Sequence, residues 1–170
     1  MNAQDNAETG EEPEVVIEEA EPLKFGYLIY SAALQQMPQY AIAKRNIEDL
    51  RIKYDAETKR SENEFNEKYE AFLEGQHDFA PSILRKRQAE LQDMMEKNIA
   101  FKEESQRLLA QAEEAAMVPV REELAKLLST IGKERGYAFI LNTDNNALPF
   151  INNAMGEDVM PICFPPQQDQ

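Results

Sequence analysis

The residues able to do covalent or metal chemistry are few and badly placed for it. His77 is the only histidine and Cys163 the only cysteine, 86 positions apart. One of each cannot form a zinc cluster or an intramolecular disulfide, and nothing near either in sequence offers a Cys–His nucleophile pair. Paired acids such as Glu103-Glu104 and Glu113-Glu114 fall in helical surroundings and read as solvated faces rather than acid–base dyads. The six glycines are scattered, so no phosphate-cradling loop exists. The expectation is a protein that is not an enzyme, with no cofactor, no metal and no catalytic residue.

Two groups of residues remain that could bind. Arg85-Lys86-Arg87 is a local inversion of sign: either first-turn surface charge, or a patch that meets an anionic membrane or an acidic polypeptide. Phe79, Ile83, Met94 and Met95 are either the seam between two helices or an adaptable apolar surface, because Met and aromatic side chains tolerate varied partners.

Charge and composition narrow the field. The net charge is −14, and residues 1–21 alone carry eight acids and no base, leaving −6 for the other 149. Residues 1–23, with low hydrophobicity and two prolines, predict a disordered acidic tail. An acidic chain lacks the basic face that nucleic-acid phosphates require. The absence of Trp, together with 29% charged residues, suits long helices with a thin apolar seam. No run of about 18 apolar residues is present to span a membrane. Met1 is followed by acids and amides, which leaves two readings: a cytosolic chain, or one starting after a removed signal.

The elements that would position those residues follow from periodicity. Lys24–Tyr30 alternates as a strand, with Phe25, Tyr27 and Ile29 on one face and Leu28 and Tyr30 on the other. Ser31 is a candidate cap for a short helix Ala32–Met37, which Pro38 interrupts. Tyr40–Glu74 has no Pro or Gly, and its apolar stripe (Tyr40, Ile47, Leu50, Tyr54, Phe65, Tyr69, Phe72) predicts one amphipathic helix. Residues 75–81 break it. A second helix from Ser82 to Met117 carries Leu84, Leu91, Met94, Phe101 and Leu108, with Asn98 and Ser105 in the seam. Mirroring the two about residue 78 sets Phe72 against Leu84, Phe65 against Leu91 and Leu50 near Leu108, an antiparallel helical hairpin. Pro119 suits the first turn of a further helix reaching Lys133. Tyr137–Leu141 and Ala147–Ile151 read as strands about the turn Asn142–Asn146, with Pro149 confining the second to an edge or bulge. Residues 161–170 read as a loose tail.

The fold class is therefore mainly α with a small β body, the hairpin arm (40–117) being inserted between two body segments (24–39 and 118–160). Three short strands cannot cover the apolar faces of so small a body, so self-association is expected through Phe25, Tyr27, Ile29, Phe139, Leu141 and Phe150.

That layout resembles the Skp/OmpH family of periplasmic chaperones. Lys24–Met37 (KFGYLIYSAALQQM) looks like the family's opening strand and short helix. Val120–Leu141 (VREELAKLLSTIGKERGYAFIL) looks like its closing helix, the "ERGY" step and the apolar strand, and Asp144–Ala147 like the turn before its last strand. The resemblance covers about residues 24–160; the arms agree only in pattern, as any coiled coil would. It implies a jellyfish-shaped homotrimer whose arms enclose a cavity that holds unfolded outer-membrane proteins without ATP. It also implies a periplasmic location after signal removal. Client-binding residues would then be Phe65, Tyr69, Phe72, Phe79, Ile83, Met94, Met95 and Phe101 on the arm, with transient membrane contact near Arg85, Lys86 and Arg87. Two features depart from the family. Its well-known members are strongly basic, whereas the arms here carry 13 bases against 16 acids, and no lipopolysaccharide site carries over. Pro161, Pro165 and Pro166 also interrupt the family's usual C-terminal helix. The competing readings are a coiled-coil scaffolding or adaptor protein docking one specific partner, and a cytosolic prefoldin-like chaperone.

Overall fold

A computed structural model describes residues 20–166. The sequence-predicted acidic tail lies outside these residues up to position 19, as does the chain end from 167 to 170. The described part is mostly helical with one small sheet. In chain order it runs β1 (Phe25–Leu28), α1 (Tyr30–Gln36), α2 (Pro38–Gly75), α3 (Pro81–Arg135), β2 (Ile140–Asn142), a 3-10 turn (Asp144–Asn146), β3 (Gly156–Asp158) and α4 (Met160–Cys163). The sheet order is β2-β1-β3, and both outer strands run parallel to β1. Gly26 pairs with Ile140 on one side and Glu157 on the other.

The buried cluster draws on both ends of the described chain: Leu28, Ala33, Met37 and Ala43 meet Val120, Leu124, Ile131 and Val159. Alternation along β1 turns Gly26 and Leu28 into this core and leaves Phe25 and Tyr27 half-buried on the opposite face. The core also explains the first departure from expectation. Pro119 does not start a helix; it lies inside α3, which is continuous for 55 residues. Proline in a helix interior costs about 3 kcal/mol or more. Val120 and Leu124 directly beyond it are fully buried, and Ile131 nearly so. At about 1.5–3 kcal/mol for each buried aliphatic side chain, the packing outweighs the missing hydrogen bond.

Helix starts differ too. Ser31 does not cap α1; Ile29 precedes the first turn, and the cap comes from across the fold. Asn142 Oδ1 accepts from Tyr30 N (3.3 Å), and the Asp144 carboxylate accepts from Ser31 N (3.1 Å) and Ser31 Oγ (2.8 Å). Thr143 donates both its N–H and its hydroxyl to the Leu28 carbonyl. The second long helix begins at Pro81, after Ala80, with no side-chain cap from Ser82.

The predicted strand Ala147–Ile151 is not one. The place beside β1 is taken by β3, anchored by buried Val159, whose N–H donates to the Tyr27 carbonyl at 3.0 Å. Pro149 deprives 147–151 of a ladder donor, and the segment offers no side chain as deeply buried as Val159. The other predicted strand begins later than Tyr137. Gly136 ends α3 in the left-handed region (φ 66°), and Tyr137 folds beneath Gly26, where a Cβ would sit 3.0 Å from its ring. Asn145 and Asn146 both take positive φ, consistent with the expected turn. The chain end is not loose over 161–164: α4 forms there, and Ile162, Cys163 and Phe164 pack on the core.

Candidate functional site

The longest surfaces belong to α2 and α3. Both helices are studded with exposed short-range ion pairs: Arg60 with Glu57 and Glu64, Arg107 with Glu104, Lys97 with Asp93. Hydrogen bonding to Arg60 and Arg107 holds the Glu57 and Glu104 carboxyls below their ordinary range. Such pairs support the helices locally and define a solvated outer face.

Contacts between the two helices occur in reversed order along the chain. Lys44 Nζ lies 3.6 Å from Glu113, the Tyr54 and Phe101 rings meet edge-on at 6.3 Å, and Asn98 Nδ2 donates to the Ser61 carbonyl at 3.2 Å. Near the connection the Phe72 and Phe79 rings meet at 6.3 Å. These pairs centre within two residues of the expected mirror about residue 78. Phe72 also lines a cleft with Leu91 and Met94, and Phe65 one with Met95, Asn98 and Ile99. Each Cα–Cβ bond leans toward its own helix N-terminus, so side chains on antiparallel helices also reach partners beyond the one directly opposite.

Of the arm residues picked from sequence, the structure brings Phe72, Phe79 and Met94 into one cleft and Phe65 and Met95 into another. Phe65 also stacks on Tyr69, with ring centroids 5.9 Å apart and planes 7° from parallel. Phe101 is occupied by Tyr54 in the seam, and Ile83 lines neither cleft. Tyr69, Ile83 and Met95 are exposed, the last two at 46% and 47%. Ile99, at 53% exposure, belongs with them and was missed; it sits one turn beyond Met95 on the same stripe, a signal the spacing did contain. The Arg85-Lys86-Arg87 cluster lies at the start of α3, where Glu90 pairs with Lys86 and Arg87. His77 is exposed in the connection between the helices.

On the body, Phe25 stacks on Phe139 with centroids 5.8 Å apart, and Tyr27 pairs in register with Leu141. Ile29 and Phe139 are exposed, and Phe150 is 82% exposed. An apolar groove of about 450 Å³ runs beside them along α3 and β2, between Leu128, Gly132, Tyr137 and Ile140. Cys163 is half-buried, and burial pushes its thiol above the ordinary value, so it is a poor nucleophile at neutral pH.

The order of elements and the residues at both chain ends now bear on ancestry. The family described as "Outer membrane protein (OmpH-like)" matches residues 24–160. The chain belongs to the OmpH-like family. The match spans the sheet, the core and both long helices, and it includes Asn142 and Asp144, which cap α1 from across the body. Comparison with curated proteins gives no match. OmpH-like proteins are periplasmic chaperones of outer-membrane proteins rather than enzymes. Among the described residues, no helix is long and apolar enough to cross a membrane.

Proposed function

We propose that this protein is an ATP-independent holdase that keeps unfolded outer-membrane proteins soluble in the periplasm. The carrying observation is the state of the α2–α3 flanks: Ile42, Ile52, Tyr69, Leu73, Ile83, Met95 and Ile99 all stay exposed on helices otherwise rich in charged residues. Soluble helices of this kind normally turn such residues inward, so an exposed series along both helices suits repeated weak contact with apolar segments of a client. In this reading α2 and α3 form a hairpin arm (40–117) projecting from a body built of 24–39 and 118–160. The body is the trimerisation unit, through Phe25, Tyr27, Ile29, Phe139, Leu141 and Phe150. Exposed Ile29, Phe139 and Phe150, with the groove beside β2, supply the apolar area that subunit contacts would cover. Three arms then enclose the client between them.

The direct test is dilution of a urea-unfolded β-barrel protein into buffer with and without this protein, no nucleotide present, following light scattering. Suppression at one trimer per client is expected; unchanged scattering would overturn the reading. Sedimentation should give about three times the 19.5 kDa chain mass. A stable monomer would remove the enclosed cavity from the proposal.

A further inference from the structure

The cleft nearest the helix connection differs in charge from its neighbours along the arm. Its floor is Phe72 and Phe79 with Leu91 and Met94. One wall depends on Gly75: a Cβ there would fall 2.9 Å from the Phe79 ring, so only glycine lets Phe79 lie back against the end of α2. At about 230 Å³ the space is below the range of small-molecule pockets (about 300–1,000 Å³) and matches one large side chain.

The rim carries Lys68 from α2 and Arg87 from α3, against the single acid Glu90. Glu90 is paired with Arg87 at 3.3 Å and more loosely with Lys86 at 3.9 Å. Lys68 has a similarly loose partner in Glu64 at 3.8 Å, and Glu64 is shared with Arg60 at 3.2 Å. The next cleft toward the body, beside Phe65 and Met95, has Glu62 as its one charged lining residue. The cleft beyond it, beside Tyr54, balances Asp55 with Lys102. An arm with more acids than bases thus presents a cationic rim over an apolar hole at this one level of the three.

We infer that this cleft takes a large apolar side chain of an unfolded client that has a carboxylate one or two residues away. The side chain fills the space over Phe72 and Leu91, and the carboxylate meets Lys68 and Arg87 from the two helices. This rests on the holdase reading and adds a preference to it: segments that join an aromatic or long aliphatic residue to an acid dock first at the end of the arm. The other clefts take apolar residues without that charge requirement.

The experiment uses the full chain and three short unstructured fluorescent peptides: Phe flanked by Asp, Phe flanked by Lys, and Ala flanked by Asp. Anisotropy titrations at low salt should rank the Asp–Phe peptide about three- to tenfold tighter than either other, the scale of one or two exposed ion pairs. About 0.5 M salt should erase the difference from the Lys–Phe peptide. The Lys68→Glu/Arg87→Glu variant should reverse the order of the two Phe peptides, with circular dichroism and Tm checked against the wild type. Equal binding of the two Phe peptides by the wild type at low salt would overturn the inference without recourse to any variant. So would an acidic preference that survives charge reversal. Vesicles of mixed phosphatidylglycerol and phosphatidylcholine are the rival occupant: if they bind through Lys68 and Arg87 while the Asp–Phe peptide does not, the rim serves a membrane and the inference fails. Light scattering of the β-barrel client is run in parallel. Retained holding without peptide preference removes only this inference, whereas loss of holding removes the functional reading itself.

Discussion

The body and the two long helices are held by different physics. In the body, residues more than a hundred positions apart are fixed by directed bonds: Asn142 and Asp144 cap α1, and Thr143 grips the Leu28 carbonyl. Its core includes Ala33, Val120, Leu124 and Val159, each fully buried. Along α2 and α3 beyond that core, the buried side chains are Ile47, Leu91 and Ser105, and Ser105 spends its hydroxyl on the Phe101 carbonyl of its own helix. Most polar contacts there stay within four residues. Long-range directed bonds make one geometry, which the proposed trimerisation unit would need. A thin seam with surface ion pairs keeps two helices helical while leaving apolar side chains exposed on their flanks.

The sharpest way to break the comparison is a matched pair of truncations. Leu124→Ala should cost about 2–5 kcal/mol, because a fully buried side chain leaves a cavity as well as losing its transfer energy. Leu91→Ala, beside an existing cleft, should cost less than half as much. Urea unfolding at equal protein concentration measures both, since the proposed assembly would make stability concentration-dependent. Equal losses would show that the arm is as tightly packed as the body.

A smaller effect tests the directed bonds. Asp144→Ala removes the acceptor for Ser31 N and Ser31 Oγ at the open end of α1. A cost of about 1–2 kcal/mol is expected, typical of a lost helix cap. Asp144→Asn keeps an acceptor and should recover most of it. A neutral Asp144→Ala would mean that water replaces the cap without loss.

The body also has an alkaline signature at Tyr137. Burial, aided by the hydrogen bond to Glu157, pushes the Tyr137 hydroxyl up to about 12 from an ordinary 10. The folded state therefore keeps a proton that the unfolded state releases first. Stability tied to Tyr137 is fully present below pH 10 and is lost as pH rises from about 10 to 12. Tm of the wild type should fall across that window more steeply than that of Tyr137→Phe. Parallel curves would show that Tyr137 is as solvated as a free tyrosine.

Much of this was legible in the sequence, and the parts that were not have identifiable causes. Helical periodicity located both long helices, and strand alternation put Leu28 on the face opposite Phe25 and Tyr27. Periodicity is local, so it could not weigh Pro119 against the burial of Val120 and Leu124, which are buried by residues 28–43. Nor could it choose β3: Gly156–Asp158 has no apolar pattern and becomes a strand because Val159 and Tyr27 fix the register. The cap on α1 came from the far end of the chain. In the candidate site, spacing found Phe72, Phe79 and Met94 but not their shared cleft, because pairing by position says nothing of the space left between side chains. The cationic rim escaped notice because Lys68 and Arg87 lie 19 positions apart, on different helices.

The smallest expected effects belong to the arm flanks, and they separate a holdase from a docking scaffold. Ile83→Ala and Met95→Ala touch exposed side chains, so each should change stability by no more than about 0.5 kcal/mol. Each should weaken client holding by about 1 kcal/mol or less, below the 2 kcal/mol or more of a binding hot spot. Phe79→Ala and Met94→Ala line the terminal cleft and should cost somewhat more in stability, since Phe79 also packs on Phe72 and Gly75. Replacing all four together should weaken holding strongly, because interchangeable contacts compensate for one loss but not for the removal of the set. Salt should leave bulk holding of a β-barrel client largely intact, since most flank contacts are apolar. If instead one substitution abolishes capture and only one folded partner is ever bound, the flank is a specific interface. The thin seam would then serve precision rather than tolerance, and the scaffold reading would replace the holdase.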